Sequence, residues 1–159
     1  MINILKRVNN SKRARTSLAV ISHASALVAA FCYMFLVVYA FLSDRSALVM
    51  LIFGASIPFV LVTLLRHFID APRPYELYDF FEYIPKEKKG HSFPSRHVFS
   101  AFVIATLAIP VSIPLAAAIY LLGVSLSISR VFLGIHFIRD VLAGALIGII
   151  SGVIAILIF

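Results

Sequence analysis

Charged residues are scarce in this sequence. Of its 159 residues, 13% are Asp, Glu, Lys or Arg, whereas 62% are hydrophobic. A soluble domain of this length needs a polar surface, and so few polar side chains cannot provide one. The composition therefore excludes a soluble globular protein.

Cysteine and glycine are also few, with one and seven residues respectively. Cys32 lies in the middle of an apolar stretch and has no partner for an internal disulfide, so we expect a buried thiol that contributes packing. Three of the glycines, Gly144, Gly148 and Gly152, recur every four residues near the end of the chain. This spacing places them on one face of a helix and predicts close packing against another helix.

Long stretches without any charged residue make up most of the chain. They are Thr16–Ser43, Ser46–Leu65, Val98–Ser129 and Val141–Phe159. A helix of about 20 residues crosses the roughly 30 Å hydrocarbon core of a bilayer. The backbone within that core must satisfy its own hydrogen bonds, and these stretches lack the alternation of barrel strands, so helices are favoured. Pro110 and Pro114 divide the third stretch into two shorter helices.

The predicted fold is an all-α, polytopic membrane bundle with about five transmembrane helices. Residues 1–159 are expected to form a single membrane-embedded domain, since the sequence contains no internal repeat and no second domain. Residues 1–16 mix apolar and basic side chains, which is typical of a segment that lies on lipid headgroups. Residues 70–94 contain several prolines and most of the acidic residues, and they predict a polar loop.

The basic residues are distributed unevenly between the two predicted faces of the membrane. With five spans, the N-terminus, the 70–94 loop and residues 130–139 lie on one side. Thirteen of the 14 Lys and Arg residues are on that side, and only Arg45 is opposite. Without the four arginines that are site candidates, nine against one remain, which predicts that this face is cytoplasmic. These basic residues also account for the net charge of +7, which favours contact with anionic lipid headgroups. The sequence has no basic helix or aromatic-basic module that would indicate binding to nucleic acid.

Polar residues at the span ends are the informative ones in such an apolar chain. Three groups fall on the predicted cytoplasmic face: Arg66 with Arg73, then Ser95 with Arg96 and His97, and finally Arg130 with His136 and Asp140. An arginine near mid-membrane costs about 2.5–3.5 kcal/mol on insertion scales, so several together indicate pairing or function. Guanidinium groups in this number match the charge and geometry of phosphate. Ser95 before a helix start adds a hydroxyl and backbone N–H donors.

The histidines add chemistry that binding alone does not require. His136 and Asp140 are four residues apart, so one helical turn would let the carboxylate orient the imidazole. An oriented imidazole can attack phosphorus, and a second histidine, His97, can protonate the leaving alkoxide. The competing interpretation is a metal site. The spacing matches no zinc motif and the surrounding arginines would repel a cation, so we expect no metal and no cofactor.

These residues resemble the three-part signature of the type 2 phosphatidic acid phosphatase family, which includes the vanadium haloperoxidases. The three parts read Arg66-x6-Arg73-Pro74, Pro94-Ser95-Arg96-His97 and Ser129-Arg130-x5-His136-x3-Asp140. The resemblance implies that His136 is a nucleophile that forms a phosphohistidine and that Asp140 orients it. It further implies that His97 is the general acid and that no metal is needed.

The same resemblance implies which residues hold the phosphate oxygens: Arg66, Arg73, Ser95, the backbone at Arg96, and Arg130. Two of them depart from the family pattern. Arg66 stands where the family has lysine, which keeps the charge but changes its reach. Arg96 replaces a glycine that lets the backbone approach phosphate closely. Its side chain either adds a phosphate contact or points to the headgroup region and alters selectivity.

The leading functional prediction is a lipid phosphatase in the bilayer. Its substrate is expected to be phosphatidate, phosphatidylglycerophosphate, or a polyprenyl phosphate or diphosphate, and the sequence indicates no particular oligomeric state. One alternative is a non-catalytic protein that binds or transports a lipid phosphate, although binding alone requires no nucleophile. A second alternative, a small channel, predicts polar residues midway along the spans, and the sequence has few there.

Overall fold

The computed structural model describes residues 2–43, 45–81 and 89–159, and among them it contains helices and loops but no strand. Residues 82–88 of the predicted 70–94 loop lie outside the described residues. The helices are α1 (Ile2–Asn10), α2 (Lys12–Ser43), α3 (Arg45–Ile69), α4 (Pro74–Leu77), α5 (Arg96–Leu107), α6 (Ile113–Phe132) and α7 (Ile138–Ile158). The predicted all-α fold is confirmed.

Four helices, α2, α3, α6 and α7, are long and apolar enough to cross a membrane. The helix α5 has 12 residues and therefore extends about 18 Å, less than the roughly 30 Å hydrocarbon core. It lies inside the bundle, where eight of its residues are buried and Val98, Phe99 and Leu107 are fully enclosed. The protein is thus a polytopic membrane bundle in which the third predicted helix, expected to be short, is a central helix of 12 residues.

The predicted break within the third apolar stretch is present. Helix α5 ends at Leu107, and α6 begins at Ile113 after a short turn. Ser112 caps α6, because its hydroxyl accepts a hydrogen bond from the backbone N–H of Leu115 at 3.4 Å. Pro114 falls in the first turn of α6, where the N–H that proline lacks would have had no partner in the helix.

The glycines of α7 permit an unusually close approach to α5. A Cβ atom added at Gly144 would lie 2.6 Å from the carbonyl oxygen of Ser95, and one at Gly148 would lie 2.7 Å from that of Phe99. A Cβ atom added at Gly152, one turn further along α7, would likewise lie too close to the side chain of Thr106. The prediction that these glycines serve helix packing is confirmed. This packing also brings the first residues of α5 and of α7 side by side.

The N-terminal helix α1 is attached to the end of α6. The amide Nδ2 of Asn9, which is buried, donates a hydrogen bond to the carbonyl oxygen of Phe132 at 2.9 Å. The long helix α2 then begins at Lys12, so it includes the last basic residues of the segment predicted to lie on the headgroups. At the other end of the bundle, Ser46 donates to the carbonyl oxygen of Phe159 at 3.3 Å. The two chain termini therefore lie at opposite ends.

Candidate active site

Hydrogen bonds to backbone carbonyl oxygens join the three polar segments at one end of the bundle. At the end of α3, the buried guanidinium of Arg66 donates through Nη1 to the carbonyl oxygens of Ser92 (3.3 Å) and Pro94. The N–H of Ser95 in turn donates to the carbonyl oxygen of Asp140 at 2.9 Å. Segments that are up to 74 positions apart in the sequence are thus held in contact by the fold.

His136 and Asp140 are both buried and lie within ion-pair distance, but not through the helical turn that their spacing predicts. Helix α7 begins at Ile138, so His136 precedes the helix and the pair does not share a helical turn. The imidazole Nδ1 lies 3.7 Å from the carboxylate Oδ2, which is too long for a hydrogen bond. The hydroxyl of Ser92 lies between them, 2.5 Å from that Oδ2 and 3.3 Å from Nδ1. The backbone N–H of Phe137 donates to the same carboxylate oxygen at 2.9 Å.

The environment of His136 keeps its imidazole uncharged. The side chain is 2% exposed, and burial together with the positive charges of Arg130 and Arg73 lowers the pKa of His136 to about 4, although Asp140 acts in the opposite direction. The ring is therefore neutral at physiological pH. A neutral imidazole has a lone pair on one nitrogen, and this lone pair is what a nucleophile requires.

Three buried polar atoms at the site have no hydrogen-bond partner among residues 2–43, 45–81 and 89–159: Ser95 Oγ, Arg130 Nε and Asp140 Oδ1. Ser95 occupies the N-cap position of α5, but its hydroxyl does not cap the helix. Buried donors are normally satisfied, so the hydroxyl of Ser95 and the guanidinium of Arg130 indicate where an oxyanion would bind. The N-terminus of α5 favours negative charge at the same place.

Arg73 lies at the edge of a polar cavity of about 250 Å³. Its Nε donates to the carbonyl oxygen of Gly90 at 3.0 Å, and its guanidinium lies 5.8 Å from the centre of the Tyr75 ring. The cavity is lined by Thr63, Arg66, His67, Arg73, Gly90, His91 and Arg96. An anion in this cavity would meet several positive charges.

Arg96 and His97 occupy the first turn of α5 and line a second cavity of about 280 Å³. Its other lining residues are mostly apolar: Ala26, Ala29, Ala30, Phe59, Ser100, Ala101, Ile104 and Leu126. The Arg96 guanidinium lies over the Phe59 ring, 5.8 Å from its centre, and borders both cavities. His97 is solvent-accessible in this turn, and Arg130 and His136 lie near it. Polar and apolar cavities thus meet at the start of α5.

Sequence reasoning missed two side chains near this site. Ser92 precedes Pro94 by two positions, and nothing in its spacing distinguishes it from the many other serines. His91 lies beside Asp70, with Nδ1 to Oδ1 at 3.2 Å, and its ring stacks on that of His67. Across residues 2–43, 45–81 and 89–159, no three His, Cys, Asp or Glu side chains are grouped as a metal site would require.

The fold and the site define an all-helical, multi-spanning membrane protein with a buried cluster of arginine, histidine and aspartate. The chain belongs to the PAP2 superfamily, whose family model matches residues 46–159. The matched region contains every predicted site residue. A comparison with curated proteins found no match.

Two solved structures resemble this protein over almost its entire length. LpxE of Aquifex aeolicus superposes with a TM-score of 0.72 at 25% sequence identity, covering 98% of this chain and 93% of that one. A transmembrane PAP2-type phosphatidylglycerolphosphate phosphatase of Bacillus subtilis superposes with a TM-score of 0.56 at 23% identity, covering 96% and 89%. The second likeness concerns the fold alone.

Proposed function

We propose that this protein is a membrane lipid phosphatase that hydrolyses a phosphomonoester or diphosphate on a lipid through a phosphohistidine at His136. The observation that carries the proposal is a pair of buried donors, on Ser95 and Arg130, that have no partner in the described part of the chain and lie beside a buried neutral imidazole. Membership of the PAP2 superfamily supports the same assignment. The similarity to LpxE along nearly the whole chain supports it further.

The first chemical step forms the phosphoenzyme. The Nε2 lone pair of His136 attacks the terminal phosphorus, and the bond from that phosphorus to the leaving oxygen breaks. This is the lipid oxygen in a monoester and the bridging oxygen in a diphosphate. His97 donates a proton to that oxygen, which leaves as an alcohol, or as a lipid phosphate when the substrate is a diphosphate. Arg73 and Arg130 stabilise the charge that develops on the phosphate oxygens.

The second step releases phosphate and restores the enzyme. His97, now neutral, takes a proton from a water molecule, and the water oxygen attacks the phosphohistidine. The bond between phosphorus and Nε2 breaks, and inorganic phosphate leaves. Ser95 and the backbone N–H of Arg96 hold the phosphate oxygens in both steps, and Asp140 stabilises the positive charge that His136 acquires.

Arg66 has two roles, one electrostatic and one structural. It lines the polar cavity with Arg73, where it adds positive charge near the phosphate. Its Nη1 also donates to the carbonyl oxygens of Ser92 and Pro94, so it holds the loop that precedes α5. A guanidinium has more donors than a lysine ammonium, which allows both tasks at the position where the family has lysine.

The apolar cavity beside His97 supports a lipid as the substrate. Its lining includes four alanines and three larger apolar side chains, and the positively charged cavity begins at Arg96. A molecule with a hydrocarbon chain in the first cavity would place its phosphate at the start of α5. Phosphatidate, phosphatidylglycerophosphate, and polyprenyl phosphates and diphosphates all have this form.

The proposal is tested by measuring phosphate release by the detergent-purified protein in EDTA from a panel of lipid mono- and diphosphates. We expect release from at least one lipid and no loss of rate in EDTA, because every proposed catalytic group belongs to the chain. Loss of activity in EDTA that returns with a metal ion would contradict the metal-free mechanism. Tight binding of a lipid phosphate without any release would favour the binding or transport alternative.

We also propose that residues 1–159 form one domain whose site faces the cytoplasm. The excess of basic residues at the end of the bundle that carries the site supports this orientation. Since Phe159 lies at the opposite end, beside Ser46, a reporter enzyme that is active only outside the cytoplasm should be active when fused after Phe159. The same reporter inserted into the 70–94 loop should be inactive, and the reverse pattern would overturn the orientation.

A further inference from the structure

Ser92 belongs to none of the three motifs, yet its side chain is at the centre of the site. It is fully buried, in the loop between α4 and α5. Its hydroxyl is 2.5 Å from Asp140 Oδ2 and 3.3 Å from His136 Nδ1. The direct distance from Nδ1 to Oδ2 is 3.7 Å, so hydrogen bonding between the histidine and the carboxylate runs through this hydroxyl.

The positions of the protons on His136, Ser92 and Asp140 follow from which of their atoms can donate and which can accept a hydrogen bond. An ionised carboxylate only accepts hydrogen bonds, and a serine hydroxyl has a single proton to donate. At 2.5 Å from the carboxylate oxygen, Ser92 must give its proton to Asp140, because two acceptors would repel each other at that distance. The serine oxygen can then only accept from the imidazole, so the proton of neutral His136 is on Nδ1 and its lone pair is on Nε2.

We propose that Ser92 is a positioning residue that holds His136 in the Nδ1–H tautomer by linking it to Asp140. The catalytic consequence rests on the proposed function, because only a nucleophilic His136 benefits from a lone pair fixed on Nε2. The tautomer itself is a property of the resting protein. It can be measured whether or not the protein is a phosphatase.

The backbone around Ser92 fixes its hydroxyl in place. Its N–H donates to the carbonyl oxygen of Ala71 at 2.8 Å, and its carbonyl oxygen accepts from Arg66 at 3.3 Å. On the other side, the N–H of Phe137 holds the shared carboxylate oxygen of Asp140. The loop that carries the hydroxyl and the carboxylate that accepts from it are therefore both oriented before any substrate binds, which is how supporting residues tune a catalytic group.

The alternative is that Ser92 only fills space in a buried loop. In that case its replacement by alanine would lower stability without changing the tautomer of His136. The side-chain ¹⁵N resonances of histidine distinguish the two tautomers, and the His136 signals can be assigned by their absence in His136→Ala. The decisive comparison is therefore between wild type, Ser92→Ala and Ser92→Thr, which keeps the hydroxyl.

We expect Ser92→Ala to increase the Nε2–H tautomer of His136 and to lower kcat by about 10- to 100-fold, by analogy with the loss when the hydrogen-bond partner of a metal-ligating histidine is removed. KM should remain within about twofold of wild type, since Ser92 does not touch the substrate. Ser92→Thr should retain the wild-type tautomer and recover most of the rate. The control is Ser22→Ala, which removes a buried serine hydroxyl elsewhere, in α2. It should change neither the tautomer of His136 nor kcat.

An unchanged tautomer in Ser92→Ala would overturn the proposal, whether or not the rate falls. If the thermal unfolding of Ser92→Ala shows that it does not fold, Ser92→Cys replaces it, because a thiol has similar size and forms only a weak hydrogen bond. If the wild-type protein releases no phosphate from any lipid, the proposed function fails. The tautomer measurement would still decide the role of Ser92 in that case.

Discussion

His136→Ala should abolish phosphate release, lowering kcat by at least about 1,000-fold, because the variant has no atom to form the covalent intermediate. The effect should be on kcat rather than on lipid binding, since the groups proposed to hold phosphate belong to other residues. In the wild type, rapid quenching with labelled lipid phosphate should reveal protein-bound phosphate that is stable in alkali and lost in acid, as a phosphohistidine is. The variant should show none.

His23→Ala is the matched control for that experiment. His23 lies on α2, where its Nδ1 is 2.7 Å from the carbonyl oxygen of Ala19, and it is exposed. The His23→Ala variant should release phosphate at the wild-type rate and show the same phosphoenzyme signal. If His136→Ala retains the phosphoenzyme signal, the nucleophile is another residue and the proposed mechanism is wrong.

Arg130→Lys should lower kcat/KM by about 100-fold even though the positive charge is kept. Arg130 is buried at the end of α6, and its Nε has no hydrogen-bond partner among the residues that the structure describes. A planar guanidinium can hold two phosphate oxygens at once, whereas an ammonium on a shorter side chain acts as a point charge. The loss is expected mainly in the transition state, where the charge on those oxygens changes.

Arg45→Lys is the control for Arg130, because Arg45 is exposed at the start of α3, at the opposite end of the bundle. It should leave kcat/KM unchanged. A wild-type kcat/KM in Arg130→Lys would show that charge alone is sufficient at that position. The unpartnered Nε would then have no role in binding phosphate.

The class of fold, and the grouping of the polar residues that form the candidate site, could be predicted from the sequence because they depend on features that are local in the chain. A stretch without charge, such as Thr16–Ser43, has few ways to exist other than as a helix in a bilayer. Proline at position 114 and glycine at position 148 act on the backbone where they stand, so the break before α6 and the packing of α7 could be read directly. Five spans then place the polar span ends on one face.

Only the tertiary structure decided which side chains of the candidate site are hydrogen-bonded to each other. The hydroxyl of Ser92 joins residues 44 and 48 positions away, and such contacts depend on the path of a loop, which has no periodicity to read. The spacing of His136 and Asp140 suggested one helical turn, but the start of α7 at Ile138 separates them. The sequence by itself therefore determined a membrane bundle with a cluster of polar residues on one face. The hydrogen bonds within that cluster required the fold, because they join distant segments over distances of a few ångströms.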